Sequence, residues 1–431
     1  MVFRNFDRLL FAKSESTPGT FAAPTTSADF FEVIEPTYTV SPLIFERFTK
    51  SQTLTPQTQT VPGSSKSAPV ASCEISFGIE LAGIGTGISS GTKPKLDRLL
   101  LACGMVSKDV YVYTVTAGGY AGGKPFFHNE NIEGTSGSFS SADGISWSCN
   151  APHDTEFWAQ PTSGALTTTA IKSEHSGATA TAGSTGAPTR TGVGYSPVTS
   201  QTDPDLANSA LSFRLFTGDG QHVDVSGCKG TFDIAFTHGD RAVINFTFTG
   251  KLHAIADGST PTDHSYTAEV PPAFLNASME IGTDVGTAAP WGGSLFNSMG
   301  FSMGNDVVMR EDTNSATGYH AAVITGRNPT FTFNPDAVLA SGNYDFWNEF
   351  LAGTPARMRW SVGSTAGNRM DFRVTSGQFT GISDGDRDSV SIFDSATTLT
   401  GGTFGSTVIT PAGDPSGSTF GSDNEFFLLF R

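Results

Sequence analysis

The segment from Ser72 to Met105 constrains the fold of this chain more than any other. It begins with large apolar residues at every second position, with glutamate, serine or glycine between them: Ile75, Phe77, Ile79 and Leu81. That period of two predicts a half-buried β-strand. After a glycine-rich turn, Pro94 precedes an apolar run with helical spacing, at Leu96, Leu99, Leu100 and Cys103, and Gly104 is a helix stop signal. The segment therefore predicts one strand and one short helix that covers a sheet.

Composition favours β structure for the rest of the chain. The 431 residues have room for two or three domains of about 150 residues each. Glycine (49) and phenylalanine (34) are abundant, and only 15% of residues are charged. Helix-rich proteins carry more Leu, Ala, Glu and Lys in periodic blocks. We therefore expect a mainly β protein.

Charge and cysteine content exclude several classes of protein. Asp and Glu (41) outnumber Lys and Arg (25), for a net charge of −16. This balance argues against tight binding of nucleic acid, because affinity for phosphates comes from Lys and Arg, but DNA could still pass nearby. Cys73, Cys103, Cys149 and Cys228 form no CxxC pattern, so we expect free thiols in a reducing compartment. We expect neither a signal peptide nor a membrane-spanning helix.

Two halves of the chain show the same order of predicted elements. The first has strands at residues 30–35 and 44–48, a long polar loop at 49–72, the strand and helix described above, a strand at 210–216, a hairpin at 232–248 and a polar linker at 253–270. The second has strands at 295–308 and 330–333, a short helix at 344–351 ended by Gly353, and strands at 357–362, 369–375, 390–393 and 425–430. We infer a tandem duplication.

The predicted domains follow from this repeat. Residues 1–106 plus 191–270 form a discontinuous first domain, and residues 271–431 form the second. Residues 107–190, which are rich in Gly, Ser and Thr, form an inserted decoration of β or irregular structure on the outside.

The sequence predicts no catalytic residue, no cofactor-binding residue and no metal ligand, so we expect a protein that is not an enzyme. The turn at 83–93 fails the P-loop and dinucleotide patterns. It contains GxSxG around Ser89, but the helix starts too late for a nucleophile elbow. Asp384, Asp386 and Asp388 alternate as in calcium loops, but they lack the glycine and glutamate of an EF-hand. The eight histidines have no ligand spacing.

Several segments, in order along the chain, resemble the tail tube proteins of long, non-contractile-tailed phages. They are RLLFAKSESTPGT (8–20), Glu35-Pro36, Glu46-Arg47, FGIELAGIGTG…KLDRLLLACG (77–104), MGNDVVMRED (303–312), GRNPTFTF (326–333), DFW (345–347), STAGNRMDF (364–372) and DNEFFLLFR (423–431). The strand, glycine turn and LLxACG unit is the most specific of them. The insertion at about 107–190 and the stretch at 395–421 depart from the family pattern.

The resemblance implies tandem β-sandwich or β-barrel tail-tube domains, each with one short flanking α-helix. Such domains close into rings that stack into a hollow tube in the virion tail, through which DNA is ejected. Six domains usually form a ring, so three chains with two domains each would give a trimer with pseudo-sixfold symmetry. The implied partners are other copies of the chain, the tape measure, tail terminator and tail-tip proteins, and DNA that passes without specific binding; no membrane is implied. The protein would be made in the host cytoplasm.

The loops at 49–72 and 310–319 are predicted to make contacts between rings, and deletion of residues 52–68 is expected to abolish tubes but spare the folded monomer. Two other classes stay open. One is another virion surface protein, such as a capsid decoration or a glycan-binding adhesin, which would bind sugars without self-assembly. The other is a hydrolase that uses Ser89 or the Asp384 cluster.

Overall fold

The computed structural model confirms the mainly β class: strands make up 64% and helices 6%. The structure describes residues 8–47, 57–62, 64–85, 93–114, 123–127, 145–150, 154–159, 170–173, 179–181, 189–198, 209–218, 220–261, 264, 270–275, 277–283, 289–290, 295–337, 344–365, 367–400 and 425–430.

The described elements are numbered in chain order. Before the second half, the strands are β1 (Arg8–Ser14), β2 (Phe30–Phe31), β3 (Ile34–Pro42), β4 (Ile44–Arg47), β5 (Gln57–Thr60), β6 (Ala71–Glu80), β7 (Met105–Thr114), β8 (Gly123–Phe127), β9 (Ile145–Asn150), β10 (Asp154–Ala159), β11 (Ala170–Ser173), β12 (Thr179–Thr181), β13 (Thr189–Pro197), β14 (Leu211–Thr217), β15 (Gly220–Thr237) and β16 (Val243–Gly258). The later strands are β17 (Ser278–Thr283), β18 (Ala289–Pro290), β19 (Phe296–Ser302), β20 (Asn305–Glu311), β21 (Tyr319–Arg327), β22 (Thr330–Pro335), β23 (Ala356–Thr365), β24 (Asn368–Arg387), β25 (Val390–Leu399) and β26 (Phe426–Phe430). The helices are a 3₁₀ turn (Ser27–Asp29), α1 (Asp97–Ala102) and α2 (Phe346–Ala352).

The same antiparallel strand order occurs twice along the chain. The first unit has the order β2-β1-β14-β15-β16-β6-β3. The second has the order β18-β17-β23-β24-β25-β22-β19. In each unit, a hairpin outside the main sheet (β4–β5 or β20–β21) connects the last two strands of that order, and a short helix follows. The units therefore share a topology element by element.

Each sheet folds back on itself around an aromatic core. In the first unit, the long strand β15 pairs with β14 along its first half, whereas β6 pairs with β16. Phe213 of β14 packs against Phe77 of β6 and Phe248 of β16, with ring centroids 6.0 and 4.9 Å apart. The second unit has a stacked pair, Trp360 and Phe372, at 4.4 Å. Buried side chains from both units belong to one continuous core, whose burial supplies the main driving force for folding.

The local elements predicted around Pro94 and Gly353 are confirmed. The alternating residues of β6 point into the core, and α1 ends before Gly104, which has φ +80°. The second helix begins after Asp345, whose side chain accepts a hydrogen bond from the Asn348 amide at 3.0 Å. It ends at Gly353 with φ +68°. Both helices thus stop at a glycine in the left-handed region, which other residues adopt only with strain.

Three predicted segments are wrong. The polar loop at 49–72 contains β5, which pairs with β4, and its end belongs to β6. The linker at 253–270 begins with the end of β16. The single strand at 295–308 is two strands, because Gly304 turns the chain with φ +58°. Polar strands lack the alternation that reveals a buried face, so the first two segments read as loops in the sequence.

The described strands of the predicted insertion form an antiparallel meander from β7 to β12, which confirms their β character. Strand β13 returns to pair with β7, and it also pairs with β26. The proposed boundaries at 106/107 and 190/191 thus fall within paired strands. The domain division (1–106 plus 191–270, 107–190 and 271–431) stays a prediction.

Candidate assembly surface

One outward face of the sheet carries small polar side chains across both units. We call it the polar face. Its members alternate along their strands with buried residues, as the pleat of a strand requires. They include Thr37, Thr39 and Ser41 (β3), Glu74 and Ser76 (β6), Asp233 (β15), Asn245, Thr247 and Thr249 (β16), Ser298 and Ser302 (β19), Thr330 and Thr332 (β22), Ser383 (β24) and Asp394 and Thr398 (β25).

The polar face is continuous because the two units are joined edge to edge. Strand β15 pairs with β19 in antiparallel register, from Asp233 opposite Ser302 to Thr237 opposite Ser298. The joined order is β3-β6-β16-β15-β19-β22-β25-β24. A single chain thus presents eight strands side by side.

Hydroxyl groups on the polar face bond to neighbouring strands. The Ser76 and Thr247 hydroxyls lie 3.3 Å apart. The Thr380 hydroxyl donates to the Ala396 carbonyl at 3.2 Å. Such cross-strand bonds stabilise the sheet.

The strands of the polar face contain no basic residue over residues 34–42, 71–80, 231–237, 243–249, 296–302, 330–335, 378–386 and 390–399. Carboxylates are present among them, at Glu74, Asp233 and Asp394 for example. Arginines lie at the ends of two hairpins, and each is paired: Arg241 with Glu80 and Arg387 with Asp336. Lys251 of β16, opposite Ser72 in the row of Ser41, donates to the Gly19 carbonyl at 3.1 Å. The segments without basic residues are neutral to acidic, and they would repel phosphates.

The second unit's part of the polar face forms an open depression of about 460 Å³. Most of its lining comes from outward residues of four strands, including Ser298, Thr332, Ser383 and Asp394. The apolar residues Met299, Phe333 and Ile382 complete the lining.

Two of the eight strands of the polar face have an edge without a partner within the described residues. Strand β3 pairs with β6 on one side only. Strand β24 pairs with β23 along its first half and with β25 along its second half, so the second half has one open side. Exposed apolar side chains cluster near β3, at Ile34, Leu43, Ile44 and Phe45. Unpaired strand edges are templates for pairing with another chain.

The β20–β21 hairpin of the second unit packs on the first unit. The Asn305 side-chain amide donates to the Cys103 carbonyl at 2.7 Å and to the Gly230 carbonyl at 2.9 Å. A Cβ built on Gly227 would lie 2.9 Å from the Ala321 Cβ, so only glycine allows this approach. The turn between β20 and β21, part of the predicted ring-contact loop at 310–319, lies near Val70 of the same chain.

Buried ionisable groups connect the strands of the first unit beneath the β20–β21 hairpin. The Glu15 carboxylate accepts hydrogen bonds from the Ser212 hydroxyl (2.6 Å), the Gly227 amide (2.7 Å) and the Gly19 amide (2.6 Å). Burial raises the pKa of Glu15, although these hydrogen bonds oppose the shift. Burial also lowers the pKa of Lys229 to about 8. The Glu15 carboxylate thus connects β14 and β15 to the segment that follows β1.

The GxSxG motif, the Asp384 cluster and the histidines do not form a reaction centre in the described part of the chain. Ser89 lies outside the described residues, as do His128, His153 and His175. Asp384 and Asp386 lie on β24, and Asp388 begins a two-residue turn with Ser389, at φ +52° and +68°. Among the described residues, no group of three His, Cys, Asp or Glu side chains could hold a metal ion.

Comparison with protein-family models and with curated protein sequences found no match. No helix within the described ranges is long and apolar enough to cross a membrane.

Sequence reasoning missed the polar face itself. Part of its signal is in the sequence, because the segments at 71–80, 243–249 and 330–335 alternate Phe or Ile with polar or small residues and contain no Lys or Arg. What the sequence could not supply was the order in which these strands lie side by side.

Proposed function

We propose that this protein is the subunit of a phage tail tube, with its two units as tandem tail-tube domains. The observation that carries the proposal is the repeated strand order, joined edge to edge through β15 and β19. A repeat joined in this way, with an unpaired edge at each end of its eight-strand sheet, suits cyclic assembly, because ring closure pairs these two edges.

In this proposal, three chains close into a ring with pseudo-sixfold symmetry, and the rings stack into the tube of the virion tail. The tape measure, tail terminator and tail-tip proteins are the proposed partners. Each chain would contribute eight strands to the inner wall, with the polar face toward the lumen.

The chemistry of the polar face supports passage of DNA. Lysine and arginine on a lumen wall would bind phosphates and slow the DNA, because release of counterions favours such contacts. The segments of the polar face without basic residues carry hydroxyl groups and carboxylates instead. The chain thus acts as a passive conduit and performs no reaction.

Electron microscopy of the purified protein, with the mass of single particles measured in parallel, tests this function. We expect hollow rings or tubes with three 45.2 kDa chains per ring. Six chains per ring would contradict the pseudo-sixfold trimer. A chain that stays monomeric at high concentration, even with added tail-tip complex, would contradict the tube function; binding of sugars by that monomer would then favour an adhesin.

A further inference from the structure

The joint between the two units of one chain has a defined geometry. The second half of β15 has β16 on one side and β19 on the other. The first half of β15 has β14 in the place of β19. A register shift between Ser226 and Lys229 lies close to this change of partner.

Strand β24, the counterpart of β15, has the same plan with one partner missing. Its first half pairs with β23, the counterpart of β14, and over residues 370–374 also with β26. Its second half pairs with β25. A register shift between Phe379 and Gly381 lies close to the end of the pairing with β23. Beyond it, residues 381–387 have an open side within the described residues, where β15 has β19.

Strand β3, the counterpart of β19, lacks the matching partner. The β19 edge is occupied by β15, but the corresponding edge of β3 is open in the described part of the chain. The side chains of Thr37, Thr39 and Ser41 are exposed there. The eight-strand sheet thus has a complementary edge at each end, β3 and the second half of β24. Within the described residues, each edge lacks the neighbouring strand that the internal joint supplies.

The two hairpins differ in the same way as the edges of β19 and β3, because one is covered and the other is open. The hairpin that follows β19 packs on the first unit, with Ala321 buried against Gly227. For the hairpin that follows β3, the described residues include no preceding unit on which it could pack in the same way. Its apolar residues Ile44 and Phe45 are 55% and 37% exposed.

We propose that the joint between chains copies the joint within the chain, a proposal that rests on the tube function. Residues 37–42 of β3 pair antiparallel with residues 381–387 of β24 in a second copy of this chain. The β4–β5 hairpin then lies across the second unit of that copy. Because each chain offers one edge of each kind, the contact is head-to-tail, and it generates a ring if the rotation closes.

Cysteine cross-linking tests this joint. Ser41 and Ser383 both lie on the polar face, so the double variant Ser41→Cys/Ser383→Cys places one thiol on each of the two edges. Neighbouring side chains across an antiparallel pair are close enough for a disulfide. After copper-phenanthroline oxidation of assembled rings, we expect covalent trimers in a non-reducing gel. Thr39→Cys/Ser383→Cys covers a register shifted by two residues.

Two matched variants serve as controls. Thr237→Cys/Ser298→Cys uses residues that are directly opposite in the internal joint, so it should give a bond within one chain, even in the monomer. Thr247→Cys/Ser383→Cys keeps one thiol on the β24 edge, but it moves the other to an interior strand. That pair should give no bond between chains.

The outcomes separate the joint from the function. Rings that form normally, but in which the β3–β24 pairs cross-link no more than the Thr247 control, would overturn the joint and leave the tube function standing. Failure of the wild-type chain to form rings or tubes under any condition would overturn the tube function and the joint together.

Discussion

At the residue scale, burial sets the behaviour of the few charged groups inside the protein. Lys229 is 5% exposed, and its ammonium group donates a hydrogen bond to the Ser209 hydroxyl at 2.6 Å. Its pKa is lowered from 10.5 to about 8, mainly by burial. Between these two values the unfolded chain binds more protons than the folded one, so this group makes stability rise with pH in that window.

We predict that Lys229→Met removes this dependence. Between pH 8 and 10, the unfolding free energy of the wild type should rise relative to that of the variant by about 2 kcal/mol. Chemical denaturation at several pH values measures the difference. Lys66→Met, which removes an exposed lysine, controls for the loss of one charge. A parallel pH dependence of the wild type and Lys229→Met would contradict the prediction.

At the element scale, the β4–β5 hairpin forms a two-stranded sheet of its own outside the main sheet. The Val61 amide donates to the Leu43 carbonyl at 3.0 Å, so the two ends of the hairpin are hydrogen-bonded neighbours. The residues after Val61, in contrast, contact the main sheet. The Ile255 amide donates to the Lys66 carbonyl at 2.8 Å, which connects this segment to β16. Deletion of residues 52–68 would therefore disturb the fold as well as assembly.

We predict that replacement of residues 44–60 by Asn-Gly separates these effects. Asn-Gly closes a two-residue hairpin between hydrogen-bonded neighbours. The variant should melt within roughly 2 °C of the wild type, but it should form no tubes, because the apolar hairpin no longer covers the neighbouring chain. Thermal unfolding and electron microscopy measure the two properties. Normal tubes from a folded variant would show that the hairpin has no part in assembly.

At the scale of the whole molecule, the proposed assembly would place the polar faces of all chains around one channel. Eight strand segments without basic residues would become 24 in a ring of three chains, as the proposed joint implies. The lumen wall would then carry carboxylates and hydroxyl groups around its whole circumference. Such a wall would repel the phosphates of DNA and make no specific contacts with it.

We predict that lysines on the polar face convert the conduit into a DNA-binding ring. Asn245→Lys/Thr332→Lys places one exposed lysine in each unit. Assembled rings of this variant should retain a labelled DNA duplex at low salt and release it as salt rises, whereas wild-type rings should not retain it. Ser16→Lys/Asn348→Lys adds the same charge at exposed positions off the polar face. Equal DNA retention by the two variants would contradict a lumen role for the polar face.

The sequence by itself determined the local elements of this protein. The period of two in β6 identified a strand because its apolar residues had to share one face, and Gly104 and Gly353 identified helix ends because the left-handed region favours glycine. The alternation around His238-Gly239-Asp240 predicted the hairpin of β15 and β16 for the same reason. The sequence also excluded the P-loop, dinucleotide and EF-hand patterns.

Only the tertiary structure decided which strands are neighbours. The pairings of β15 with β19 and of β1 with β14 join residues far apart in sequence, and no local pattern encodes them. The hairpin strands β4 and β5 were also invisible as a pair, because a polar strand outside the core has no buried face to reveal it. The polar face and the two open edges depend on this long-range order, which packing of the whole core fixes.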